Sequence, residues 1–214
     1  MIALRQDGRV TPGKSAWQEP QQDVCVVVLA GGRGTRLGGV DKAQLDVQGT
    51  TLLEYIAQAL PESASLVVAG QARPLTRPVV FVAEERDFGG PVSGLAAALP
   101  AVDRQALVVI AVDSPLVARV VDDLVGALTD DVDGVVAVDS QGRRQPLASC
   151  WWTPALRRAV AEVKDPYGTS MRELLTHLRF REMQASDDFL ADVDTPEDLA
   201  RLRARITGGG GDGI

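Results

Sequence analysis

The chain has 214 residues, which is enough for one α/β domain with a substantial core and short for two. Hydrophobic residues make up 45% and charged residues 24%, and the net charge of −7 argues against a general DNA- or RNA-binding protein, which needs a basic face. No apolar run approaches the roughly 18 residues that cross a bilayer. Both cysteines, Cys25 and Cys150, lie inside apolar runs, so we expect buried thiols and a cytoplasmic protein without a membrane partner.

Both ends of the chain differ from the middle in composition. Residues 1–22 carry charge, proline and glycine without periodicity, and residues 207–214 are mostly glycine. We therefore expect a flexible leader, one domain over residues 23–206 and a flexible tail.

Apolar β-branched runs alternate with amphipathic stretches along the domain. Most of these runs are continuous, which is typical of strands covered on both faces and hence of a largely parallel sheet. The predicted strands are Val24–Leu29, Leu66–Ala69, Val79–Val82, Leu107–Val112, Val135–Val138 and Leu147–Trp152.

Helix start signals lie between and after these strands. Thr51 and Ser170 each precede a glutamate by three residues, the spacing of a capping box, and Thr195-Pro196 precedes two acids. Strands that alternate with helices predict a single-domain, doubly wound α/β fold with a mostly parallel sheet. In such folds ligands bind beyond the carboxyl ends of the strands.

A glycine-rich loop follows the first strand directly, from Ala30 to Lys42. Its glycines allow backbone N–H groups to approach an anionic ligand, and its cations would offset phosphate charge. The spacing fits neither a P-loop, because Val40 follows Gly39 where lysine is required, nor a dinucleotide fingerprint, because position 37 is leucine. The loop therefore predicts a different triphosphate cradle, with five glycines and three cations: Gly31, Gly32, Gly34, Gly38, Gly39, Arg33, Arg36 and Lys42.

Asp113 ends the predicted strand Leu107–Val112 and is followed by Ser-Pro. A carboxylate at the end of a buried strand points to the ligand crevice, where magnesium is commonly held by one or two carboxylates and phosphate oxygens. The alternative is that Asp113 caps the following turn. The presence of the glycine-rich, phosphate-binding loop in the same chain favours the metal role.

The loop resembles the signature of the molybdenum cofactor guanylyltransferase family and its nucleotidyltransferase relatives, with Leu29-Ala30-Gly31-Gly32 followed by Arg36-Leu37-Gly38 and Lys42. The resemblance covers residues 24–206. It implies a Rossmann-like nucleotidyltransferase fold, the nucleotide-diphospho-sugar transferase fold, in which this loop wraps the triphosphate and ribose. It further implies that Arg36 and Lys42 contact the phosphates and that Asp113, in a segment similar to the family's Asp-x-Pro motif, binds Mg²⁺.

The segment Gly90-Pro91-Val-Ser-Gly94 resembles the family's Gly-Pro-x-x-Gly nucleotide-binding segment, which an acidic residue precedes. In the family that acid reads the guanine edge, where N1–H and the 2-amino group present adjacent donors. The matching acid is expected to be Glu85, with Glu84 or Asp87 as alternatives because the loop length differs. A solvated acidic turn without a role is the other interpretation.

Two later segments resemble the family's acceptor side. Arg144 and Gln145 stand in the first, and Asp192 and Asp194 in a closing segment where the family often has asparagines. We expect Arg144, Gln145 and Asp192 to bind the acceptor and Asp194 to be a second metal ligand.

The resemblance thus implies an Mg²⁺-dependent enzyme that transfers GMP from GTP to the terminal phosphate of molybdopterin and releases pyrophosphate. Three alternatives stay open at this point. They are a cytidylyltransferase on the same pterin, a nucleotidyltransferase on another phosphate acceptor, and a nucleotide-binding regulator without activity.

Overall fold

The computed structural model describes residues 24–31, 40–84 and 89–208. Within them, seven strands form one sheet in the order β5-β4-β1-β6-β8-β7-β9, in which β8 alone runs antiparallel to its neighbours. This confirms the predicted, mostly parallel α/β sheet. The sheet strands are β1 Val24–Leu29, β4 Ser65–Ala69, β5 Val80–Val82, β6 Ala106–Ala111, β7 Gly134–Val138, β8 Arg144–Trp152 and β9 Phe180–Gln184.

The central strands are buried on both faces. Every side chain of β1 and β6 is buried, and one face packs on α1 and α3 while the other packs on α2, α4 and α5. Helices on both faces explain the continuous apolar runs, because neither face of these strands meets water. These helices are α1 Leu52–Ala59, α2 Pro91–Ala98, α3 Val121–Ala127, α4 Thr153–Glu162 and α5 Met171–Leu174.

The helix start signals are confirmed in the structure. Thr51 Oγ1 accepts the Glu54 N–H at 3.1 Å, and Ser170 Oγ accepts the Glu173 N–H at 3.2 Å. The last helix, α6 (Pro196–Gly208), follows Thr195, whose hydroxyl accepts the Asp198 N–H at 3.2 Å. This helix ends two residues beyond the predicted domain boundary at 206.

Three features were not predicted from the sequence. A hairpin of β2 (Asp46–Val47) and β3 (Thr50–Thr51) turns through Gln48 and Gly49, both with positive φ, and packs under α6. Strand β9 forms the sheet edge, and its side chains are mostly exposed. Strand β8 begins at Arg144 rather than Leu147, and its pairing with β7 shifts register between Val136 and Ala137.

The direction of β8 decides where the site lies. Because β8 is antiparallel, its first residues lie beside the carboxyl ends of β1, β4 and β6. We call this end of the strands the carboxyl edge of the sheet. The segment after β9 returns to this edge, where the Val193 N–H donates to the Asp113 carbonyl at 2.7 Å. No helix in the described ranges is long and apolar enough to cross a membrane.

Candidate active site

A cavity of about 400 Å³ opens at the carboxyl edge of the sheet. Its floor is the end of β1 and its far wall is the start of α2. Seven of the predicted nucleotide-binding residues line it: Leu29, Ala30, Gly31, Lys42, Gly90, Pro91 and Gly94. Gly32, Arg36 and Glu85, which were predicted to bind nucleotide as well, lie outside the described residues.

One end of this cavity is charged. Lys42 and Asp113 line it, and the Lys42 ammonium lies 2.7 Å from Asp113 Oδ2 and 2.6 Å from Asp194 Oδ1. Burial lowers the pKa of Lys42, but the hydrogen bonds to the two carboxylates outweigh burial and raise that pKa above its ordinary value. The structure thus brings together three predicted residues, one of them 152 residues from Lys42 in the chain.

The two carboxylates suit a hard divalent cation. Asp113 and Asp194 converge on a single positive charge, and carboxylate oxygens with phosphate oxygens are the ligands that Mg²⁺ uses in nucleotide sites. Within the described ranges, no group of three or more His, Cys, Asp or Glu side chains could hold a metal ion. Oxygens from a bound nucleotide would therefore have to complete the coordination.

Asp192 lies beside this charged end. The Ser114 hydroxyl donates to Asp192 Oδ1. Burial raises the pKa of Asp192, and the negative charges of Asp113 and Asp194 raise it further.

Glu84 lines the opposite end of the cavity, because it follows β5, which lies on the other side of β1 from β6 and Asp113. Its Oε2 accepts the Gly89 N–H at 2.9 Å, which fixes the carboxylate in place. A β-carbon on Gly31 would lie 2.9 Å from Glu84 Oε1, and one on Gly94 would lie 3.6 Å from it. Glycine at position 31 is therefore what leaves room for this carboxylate, which was only an alternative to Glu85 in the sequence interpretation.

A second cavity, of about 750 Å³, is lined by the start of β8, by β9 and by residues 172–176. Its walls include Arg143, Arg144, Arg172 and Phe180. Arg144 Nε donates to Glu182 Oε1 at 2.6 Å, and the Arg144 guanidinium lies 5.1 Å from the centre of the Phe180 ring. The groove is rich in cations although the chain as a whole is acidic.

The predicted acceptor residues are thus not gathered in one place. Arg144 lines the second cavity, Asp192 lies beside the charged end of the first, and the half-buried Gln145 lines neither. The linings of the two cavities are adjacent in sequence on β8, where Pro146 lines the second and Leu147 the first. Arg143 and Arg172 were missed by the sequence analysis, since Arg143 lies just before the segment that resembles the family and Arg172 belongs to no motif.

Comparison with known proteins shows which family this chain is similar to. The family model described as MobA-like NTP transferase domain matches residues 26–183. A protein from Pseudomonas putida named molybdenum cofactor guanylyltransferase is 32% identical over 183 residues, which is 81% of this chain and 94% of that protein. One of the same name from Cereibacter sphaeroides is 30% identical over 187 residues, covering 84% of this chain and 95% of the relative.

A solved structure shares the fold. The crystal structure titled molybdopterin-guanine dinucleotide biosynthesis protein A, from Archaeoglobus fulgidus, superposes with a TM-score of 0.62 at 20% identity, over 86% of this chain and 99% of that one. The fold is therefore that of the nucleotidyltransferases, as the sequence predicted. Since the family model covers most of the chain and its glycine-lined cavity, the chain belongs to the MobA-like NTP transferase domain family and is a nucleotidyltransferase.

Proposed function

We propose that this protein transfers GMP from GTP to the terminal phosphate of molybdopterin and releases pyrophosphate. The observation that carries the proposal is a single cavity with a fixed carboxylate, Glu84, at one end and the Lys42, Asp113 and Asp194 cluster at the other. The names of relatives about 30% identical over most of the chain support GTP and molybdopterin as the substrates. We propose the cytoplasm as the compartment.

The charged end suits the triphosphate. Asp113 and Asp194 would hold Mg²⁺, which when bound would neutralise charge on the α-phosphate and on the departing pyrophosphate. The Lys42 ammonium lies beside both carboxylates and would stabilise charge on the same phosphates. Arg36, from the predicted phosphate loop, would add a second cation.

The opposite end suits guanine. A carboxylate accepts hydrogen bonds and donates none, so Glu84 complements the N1–H and 2-amino donors of guanine. Adenine presents a lone pair at N1 and has no 2-amino group, so its edge would face Glu84 unfavourably. Glu85 remains the alternative acid, and the experiment described in the Discussion separates the two.

In this reaction the protein aligns the two phosphate groups and forms no covalent bond to either of them. An oxygen of the acceptor phosphate attacks the α-phosphorus, a new P–O bond forms, and the bond from the α-phosphorus to the oxygen that bridges to the β-phosphate breaks. The electron pair leaves with pyrophosphate. No general base is needed, because the acceptor phosphate is ionised at neutral pH, so positioning and charge stabilisation carry the rate.

The acceptor would approach from the side of β8. We assign its anionic groups to the second cavity, where Arg144 is joined by Arg143 and Arg172, and its phosphate to the boundary near Leu147. We keep Asp192, whose carboxylate accepts from the Ser114 hydroxyl, as a candidate contact on the side of the charged end. We keep Gln145 as a candidate contact because it lies between Arg144 and the boundary.

The test uses the purified full-length protein with molybdopterin, Mg²⁺ and α-labelled GTP or CTP. We expect label to appear in the pterin product, and pyrophosphate release to require both the acceptor and GTP. Faster labelling from CTP would replace the guanylyl assignment by a cytidylyl one. Nucleotide binding without pyrophosphate release under any of these conditions would indicate a regulator.

A further inference from the structure

Arg73 lies outside the two cavities, in the connection between β4 and β5. Its side chain is 13% exposed, and its Nη2 lies 2.8 Å from Asp41 Oδ2. Its Nε donates to the Gln71 carbonyl at 3.1 Å. No motif in the sequence draws attention to this arginine.

Asp41 connects Arg73 to the charged end of the nucleotide cavity. Asp41 caps a 3-10 turn, Lys42–Gln44, by accepting the Ala43 N–H at 3.0 Å through Oδ1. Its Oδ2 accepts from Arg73 and, at 3.1 Å, from Gln44 Nε2. One carboxylate therefore holds both the start of the turn and the arginine.

The turn carries Lys42 as its first residue. Ala43, next in the chain, is fully buried in the core, so the turn is fixed on that side by packing. On the other side it is fixed by Asp41 and, through Asp41, by Arg73. The Lys42 backbone thus lies between two anchors, and its ammonium reaches Asp113 and Asp194 from there.

Stability alone gives a poor account of this arrangement. Arg73 Nη1 is buried and has no hydrogen-bond partner among the described residues. A buried N–H without a partner lowers stability, and removing an arginine from water lowers it further. The buried position of the Arg73 guanidinium therefore needs an explanation other than stability.

We propose that Arg73 is a positioning residue, whose ion pair with Asp41 holds the turn that presents the Lys42 ammonium to the nucleotide phosphates. The inference rests on the proposed reaction, in which Lys42 stabilises phosphate charge. A displacement of about 1 Å at a charge-stabilising group lowers a rate by roughly 10²-fold. Arg73 would act without touching the substrate.

The test is a double-mutant cycle between Arg73 and Lys42. Arg73→Met keeps most of the apolar stem and removes the charge, and we expect it to lower kcat/KM by roughly 10- to 100-fold. Lys42→Ala should lower it by roughly 10²- to 10³-fold. In the Lys42→Ala background, Arg73→Met should change kcat/KM by less than about twofold, because the group it positions is gone.

Arg77 supplies a matched structural control four residues along the chain. Its guanidinium donates to the carbonyls of Ala57 and Pro61 at 2.9 and 3.1 Å, closing the end of α1 away from the cavity. Arg77→Met should lower the melting temperature and leave kcat/KM of the folded protein unchanged. Arg73→Lys should recover part of the rate that Arg73→Met loses, and Asp41→Asn, on the more exposed side of the pair, should reproduce the loss.

Two outcomes would overturn the proposal. If Arg73→Met slows the Lys42→Ala enzyme as much as the wild type, Arg73 acts independently of Lys42. If it lowers only the melting temperature, as Arg77→Met should, its role is structural. Should Arg73→Met not fold, unchanged kcat/KM in Asp41→Asn would overturn it equally. Absence of turnover in the wild type would instead contradict the proposed function, and the affinity of each variant for GTP would then be compared in place of kcat/KM.

Discussion

Glu84→Gln should replace the carboxylate oxygen that faces the proposed guanine site by an NH₂ donor, because the bond to Gly89 fixes which way the amide points. The Gly89 N–H donates to Glu84 Oε2 at 2.9 Å, and only an oxygen can accept it. In Glu84→Gln the amide oxygen should therefore keep this bond, and the NH₂ group should take the place of Oε1, beside Gly31 and Gly94. The carboxylate oxygen that would accept from guanine N1–H is then replaced by an NH₂ group, and two donors face each other.

The expected effect on GTP is large. Hydrogen bonds to a charged group contribute about 1.5–3 kcal/mol each, and an opposed donor adds a desolvation penalty. A total of about 2–4 kcal/mol corresponds to roughly 30- to 1000-fold in Kd, and because Glu84 is partly exposed we expect the lower part of that range. ATP should bind as well as before or better, because the amide can donate to adenine N1. ITP keeps N1–H without the 2-amino group, so its affinity for the wild type should fall between those of GTP and ATP.

The assay is calorimetric titration of the wild type, Glu84→Gln and Glu85→Gln with GTP, ITP, ATP and CTP in the presence of Mg²⁺. The melting temperature of Glu84→Gln should stay close to that of the wild type, because the Gly89 bond is kept. A GTP-to-ATP preference within threefold of the wild-type value in Glu84→Gln would refute the argument. Loss of the preference in Glu85→Gln instead would assign the base to Glu85.

Three further predictions concern the metal, the core and a thiol. Asp113→Asn should abolish turnover with circular dichroism unchanged, because a neutral amide is a poor Mg²⁺ ligand, and near-normal rates at saturating Mg²⁺ would remove Asp113 from the mechanism. Gly134→Ala would drive a β-carbon into the buried Trp151 ring, so overpacking of about 1–3 kcal/mol should lower the melting temperature by several degrees, and an unchanged value would contradict this. Burial raises the pKa of Cys150 to about 12, so its thiol should not react with Ellman's reagent at pH 8 until the protein unfolds, and rapid labelling of the native protein would show otherwise.

The central part of the fold could be predicted because its signals are local. Strand β1 has the predicted bounds, since six consecutive buried side chains leave a pattern that needs no partner to interpret. Thr51 and Ser170 cap their helices as predicted for a similar reason, because donor and acceptor are three residues apart. Strand β9 escaped prediction because an edge strand with mostly exposed side chains lacks an apolar run.

The site could be predicted only in its parts. The sequence indicated Lys42, Asp113 and Asp194 separately, but their meeting depends on the return of the chain after β9. The choice between Glu84 and Glu85 depends on the path of the loop before α2, which two adjacent acids of the same type do not reveal. For Glu84, the structure supplies what the sequence lacked, a backbone N–H that fixes the carboxylate and glycines that leave it room.

Strand β8 takes part in both cavities, with the ends of β1, β4 and β6 lining the first and β9 lining the second. Among the described residues the two cavities have no lining residue in common, and their linings are adjacent in sequence only at Pro146 and Leu147. Free-energy effects of substitutions at separate sites without shared partners add to within about 0.5 kcal/mol. A change of base preference at Glu84 and a change of acceptor preference at Arg172 should therefore combine additively. The two specificities of such an enzyme can then vary one at a time, each on its own side of β8.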